Sequence, residues 1–203
     1  MSVTVWLWVH LQVVVVLTCC ALRLQFFNRH HSIVGILSIV LISAWPIGQL
    51  DLSTQLLPYT GILSLTSMTL LVDTISKSYH WGINLTLMDR CWIEGAAIIL
   101  GLSLYSAALG FCSNDLYGLG FTGIILPSIV GLMATTAWIY KAKAPALLLL
   151  AILWAWLLNL GESQNIWDYI LDPWLCICSL WSSGNRLLAY LRCNRFCHDK
   201  SVL

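Results

Sequence analysis

Long apolar runs separated by short polar stretches set the pattern of this chain. Seven of them reach or approach the roughly 20 residues an α-helix needs to cross a bilayer: 3–22, 33–50, 56–72, 92–111, 121–140, 144–160 and 173–190. The last is fixed by Asp172-Pro173, because proline favours the first helical position and aspartate the cap before it. Its helix is expected from Pro173 to about Tyr190, with Arg186 near the headgroups and its stem snorkelling to them. Residues 164–171 are then expected to lie as a short amphipathic shelf on the membrane surface, with Trp167, Tyr169 and Trp174 as an aromatic belt. The one longer connection, 73–91, carries Tyr79, His80, Trp81, Leu85 and Met88 and reads as a turn on the opposite surface. No similarity between the two halves is visible.

Composition agrees with that pattern. Apolar residues make up 59% of the 203 positions and charged residues 9%, against about a quarter charged in a soluble domain. The first run has no basic residue before it and exceeds the roughly 7–15 residues of a signal-peptide core, so it is expected to be a retained span. The few basic residues are scattered, which excludes a nucleic-acid surface.

Their placement gives an orientation, since Lys and Arg in short loops stay on the cytoplasmic side. Arg23 and Arg29 follow the first run, Lys77 and Arg90 separate the third and fourth, and Lys141 and Lys143 follow the fifth. Arg186, Arg192, Arg195 and Lys200 close the chain. All ten fall on one side if there are seven spans with the N-terminus outside and the C-terminus cytoplasmic. The opposite loops hold Asp51, Asp115, Glu162, Asp168 and Asp172 and no Lys or Arg. The expected fold is therefore an all-α polytopic helix bundle: one transmembrane domain over 1–191 and a basic cytoplasmic tail over 192–203.

Helices in lipid associate through close approach at small residues. Gly123, Pro127 and Gly131 recur every four positions in the fifth run, and Ala97 and Gly101 do so in the fourth, so both sets are expected to form packing seams. Pro127 is expected to kink its helix.

Candidate chemistry is sparse. Asp115, Asp168 and Asp172 make an outer acidic set whose oxygens suit a hard cation or a headgroup amine; alternatively Asp172 is a helix cap and Asp115 a loop residue bonding its own backbone. Glu94 opens the fourth run, where the helix dipole favours it. His10 and Gln12, on different faces of the first run, are each expected to bond a neighbouring helix. Cys193, Cys197 and His198 in the tail are candidate zinc or copper ligands, with membrane anchoring by Arg192, Arg195 and Lys200 the competing reading. Of the eight cysteines only Cys112 falls in an outer loop, so no disulfide framework is expected. Asn84-Leu85-Thr86 matches a glycosylation acceptor on the wrong side of the membrane. Zinc-protease, nucleophile-elbow, P-loop and dinucleotide signatures are missing.

The leading functional expectation is a non-catalytic accessory component of a larger membrane assembly, in contact with the bilayer and with a membrane-protein partner or further copies of itself, and without a cofactor. The alternatives are a small ion-coupled carrier with an outward acidic site, and an enzyme acting on lipid headgroups. A bacterial inner membrane is the expected location.

Overall fold

Twenty-one mostly apolar residues without an acid or a proline make the first helix, α1 (Val3–Arg23). The computed structural model describes residues 3–23, 32–47, 50–81, 84–111, 115–121, 123–161 and 163–199. After α2 (Ser32–Ser43) the chain turns through a two-residue antiparallel ladder, β1 (Pro46–Ile47) against β2 (Leu50–Asp51), with Pro46 opposite Asp51. The expected span 33–50 is thus cut short, because a proline disfavours helix at the residue before it. Among the described residues everything else regular is helical: α3 (Leu52–Thr60), α4 (Leu65–Tyr79), α5 (Leu87–Ala108), α6 (Ile125–Ile139), α7 (Lys143–Leu157), a single turn α8 (Trp167–Ile170) and α9 (Pro173–Asp199).

The expected third span, 56–72, is two helices. Gly61 has φ 63°, a left-handed value that ends α3, and Ser64 restarts the chain as the cap of α4 by accepting from the Ser67 amide at 3.2 Å. The fourth begins earlier than expected. Thr86 and Asp89 form a reciprocal capping box that starts α5 at Leu87.

Two helices, Val3–Leu22 and Leu87–Ala108, are long and apolar enough to cross a membrane. The apolar helices α6 and α7 have 15 residues each, about 22 Å at 1.5 Å per residue. Large apolar side chains remain exposed along them, among them Ile125, Ile129, Leu132, Leu147 and Trp154.

A larger core gathers α4 to α9 around Ile152, Ile166 and Leu175, and a smaller one joins α1 to α4 through Val15, Cys19, Met68 and Ile75. The α5–α9 pair is antiparallel, since Ala97 and Gly101 meet Cys176 while Glu94 meets Ser182. Here the expected seam exists. The Cys176 thiol donates to the Ala97 carbonyl at 3.6 Å, and a Cβ on Gly101 would lie 2.1 Å from the Cys176 sulfur.

The other seam differs from expectation. Gly123 precedes α6 with φ 70°, and Pro127 occupies its first turn, where no backbone bond is lost and no kink arises. The buried face of α6 is Leu126, Val130 and Ala134, and Gly131 meets only Leu153 of α7.

The two α5 glycines separate packing from propensity. Gly101→Ala is expected to cost about 1–3 kcal/mol by overpacking, whereas Gly95→Ala, with nothing within 4 Å of its Cβ, should be neutral or stabilising by up to about 1 kcal/mol. Unfolding midpoints in mild detergent check this, and adding Cys176→Ala should restore the Gly101→Ala protein.

Candidate functional site

The break between α3 and α4 leaves backbone groups without helical partners, and two polar side chains take them. Gln12 of α1, 1% exposed, donates from Nε2 to the Gly61 carbonyl at 2.8 Å and accepts from the Leu63 amide at 3.1 Å. Asp172, 5% exposed, accepts through Oδ2 from the Ser64 amide (2.9 Å), the Ser64 hydroxyl (2.7 Å) and the Ser67 hydroxyl (2.6 Å). Its Oδ1 accepts from the Leu175 amide at 2.8 Å, which caps α9 as the sequence suggests. One carboxylate therefore starts one helix and holds the start of another.

Residues 164–171 do not lie flat. The segment is folded into the core: Asn165, Ile166, Trp167, Tyr169, Ile170 and Leu171 are all buried. Asn165 donates to the Tyr117 carbonyl at 3.1 Å, and the Trp167 indole donates to the Leu116 carbonyl at 2.9 Å. The Asn165 amide oxygen also fills the space beside Gly120, where a Cβ would lie 1.7 Å away. Trp167 and Tyr169 are thus core residues with a polar handle satisfied by backbone, and Trp174 alone of the expected belt is exposed.

Between the break, the end of α5, the Tyr117 loop and this buried segment is a partly open cavity of about 700 Å³. Such a volume is in the usual range for a small-molecule site. Its walls are mostly apolar. Asp168 and Asp172 both line it, with Tyr105, Tyr117, Tyr169 and Trp8, and among the described residues no Lys, Arg or His does.

The acidic set is divided. Asp115 does not line the cavity; its Oδ1 accepts from the Gly118 amide of its own loop at 2.8 Å. Asp168 is half-buried and accepts the Tyr117 hydroxyl at 3.0 and 3.1 Å. Burial first, and the Asp168 charge second, push the Tyr117 phenol above its usual value, so it remains a donor. Among the described residues no three His, Cys, Asp or Glu are grouped to hold a metal ion. The side chains of Cys193, Cys197 and His198 lie outside the described residues, as does Cys112.

Charges collect elsewhere. Asp73 and Glu94, each with its side chain 2% exposed, bind Lys77, Arg90 and Arg186. Lys77 lies 2.7 Å and Arg90 3.2 Å from Asp73, Arg90 is 2.9 Å from Glu94, and Arg186 pairs with Glu94 rather than snorkelling away. The network ties the end of α4 to the start of α5 and to α9. Its signal was present in the i,i+4 spacing of Asp73–Lys77 and Arg90–Glu94.

His10, Asp51 and Ser53 also meet, yet not as a nucleophile triad. Ser53 Oγ lies nearer His10 Nε2 (2.8 Å) than Nδ1 (3.2 Å) and donates to Asp51 at 2.7 Å, Asp51 is itself 2.6 Å from Nε2, and Nδ1 contacts the Trp6 carbonyl at 2.9 Å. A triad needs the acid and the serine on opposite nitrogens, and Ser53 is wholly buried. The cluster instead fastens β2 and α3 to α1. Burial opposes the Asp51 charge, and hydrogen bonds from Thr54 and Ser53 outweigh it and hold the carboxyl below its usual value.

No protein family, curated protein or solved structure matches this chain.

The partners of the break should be expensive to remove. Gln12→Leu removes the bond to the Gly61 carbonyl and strands the buried Leu63 amide, which is worth about 1–3 kcal/mol when unpaired. Asp172→Asn sets an amide against donors and is expected to cost about 3 kcal/mol or more. Thr18→Val, which removes only a bond within α1, should cost less than about 1 kcal/mol. Folded yield and unfolding midpoint measure all three.

Proposed function

We propose that this chain is an integral membrane protein with seven spans, N-terminus outside and C-terminus cytoplasmic, in a bacterial inner membrane, and that it acts as a small carrier whose ligand enters the cavity from outside. One observation carries the reading: the third apolar run is interrupted at 61–64 beside that cavity, with its freed backbone groups held by side chains of α1 and of the α9 cap. Irregular backbone at membrane depth is tolerated where it is buried in protein or lines a cavity, and interrupted helices build the binding sites of many transporters.

Length argues for spans most strongly in α1 and α5, at about 31 and 33 Å. The shorter α6 and α7 reach across with the apolar residues that flank them, among them Phe121, Ile124 and Leu160. The one-sided placement of the ten basic residues supports the orientation.

The accessory reading loses support at Gly101 and Gly131, which meet Cys176 and Leu153 of this chain, whereas Gly123 stays open. The enzymatic reading finds no nucleophile beside a base in the cavity wall.

Orientation and access are tested together on a cysteine-free background. Ala108→Cys, on the cavity wall, should react with a membrane-impermeant maleimide in intact cells. Lys141→Cys should react only after the membrane is opened. Equal labelling of both positions from outside would remove the proposal.

A further inference from the structure

The cavity wall has a chemistry that selects among ligands. Two carboxylates face it without a cation: Asp168 accepts from the Tyr117 hydroxyl, and Asp172 is met by the Ser64, Ser67 and Leu175 donors. Neither forms an ion pair among the described residues. Carboxylates held only by hydrogen bonds, Asp172 buried and Asp168 half-buried, leave a negative potential in a pocket with mostly apolar walls. Beside the acids stand four aromatic residues, Trp8, Tyr105, Tyr117 and Tyr169, the residue types whose ring faces attract organic cations. Apart from Ser163, the side chains of the rest of the wall are apolar, among them Ile62, Leu63, Leu104, Leu160 and Leu171.

Building on the carrier reading above, we infer that the cavity takes an amphipathic organic ammonium ion, its cationic head beside Asp168 and Tyr117 and its apolar tail against the leucine-lined wall. The two acids divide the work. Asp172 is consumed by holding the helix break, whereas Asp168 has one hydroxyl partner and oxygen lone pairs to spare. A bare metal ion fits poorly, since the described residues offer no group of three ligands. An anionic amphiphile would meet two like charges and no base.

The test uses the full chain in an uncharged maltoside detergent and three probes of one tail length: octyltrimethylammonium, octanol and octanoate, titrated by calorimetry. The ammonium probe is expected to bind at least about tenfold more tightly than either other probe. Asp168→Asn keeps an acceptor for Tyr117, so it should fold with an unchanged unfolding midpoint and weaken the ammonium probe about tenfold. Asp115→Asn, outside the cavity wall, should change nothing.

Equal binding of the three probes by the native protein would overturn the ammonium assignment while leaving a ligand cavity in place. An Asp168→Asn protein that folds and binds as well as the native one would do the same. Failure of all three probes to bind would overturn the assignment and the carrier reading together. The comparison of probes on the native chain stands even if the variant does not fold.

Discussion

A backbone amide that leaves a helix inside an apolar interior has to find a new partner, because an unpaired buried group costs about 1–3 kcal/mol and more where no water reaches it. At 61–64 the chain meets that constraint with side chains from far away: Gln12 is 49 residues from Gly61, and Asp172 is 108 residues from Ser64. These bonds are what let α3 and α4 part. The gap between them, together with the end of α5 and the buried segment before α9, encloses the cavity. Gly61 and Ser64 favour the break locally, and Gln12 and Asp172 hold it in the fold.

Apart from the His10–Asp51–Ser53 cluster, two groups of acids in the fold have opposite chemistry. Around Glu94 and Asp73, two buried acids are met by three bases, Lys77, Arg90 and Arg186, so the negative charge is offset and the end of α4 and the start of α5 are tied to the middle of α9. Removing one member of such a network leaves an uncompensated buried charge, which is far more costly than the network is stabilising. Around Asp168 and Asp172 the acids are held by hydroxyls and amides alone. The first group is a structural tie. The second has no cation partner among the described residues.

Much of the helical pattern was legible because it rests on local chemistry. Pro173 behind Asp172 marked the start of α9, and Ala97 with Gly101 marked the face where α9 approaches α5. The interrupted third run was missed although Pro58, Gly61 and Ser64 punctuate it, since hydropathy counts those residues as tolerable gaps in an apolar stretch. Trp167 and Tyr169 were misplaced because an aromatic residue with a polar tip suits a membrane surface and a core with a carbonyl in reach equally well; only the position of Leu116 and Ser163 decides between them. The acidic set was half legible. Asp168 and Asp172 share the cavity, and Asp115 has the loop role also expected of it.

The account turns on the conformation at Gly61, which solid-state NMR of the isotopically labelled chain in lipid bilayers reads directly. A left-handed φ near the 63° of this fold, with helical shifts on both sides and a break over 62–64, is the result it predicts. Continuous helical shifts from 56 to 72, with φ at Gly61 near the roughly −63° of an α-helix, would contradict it.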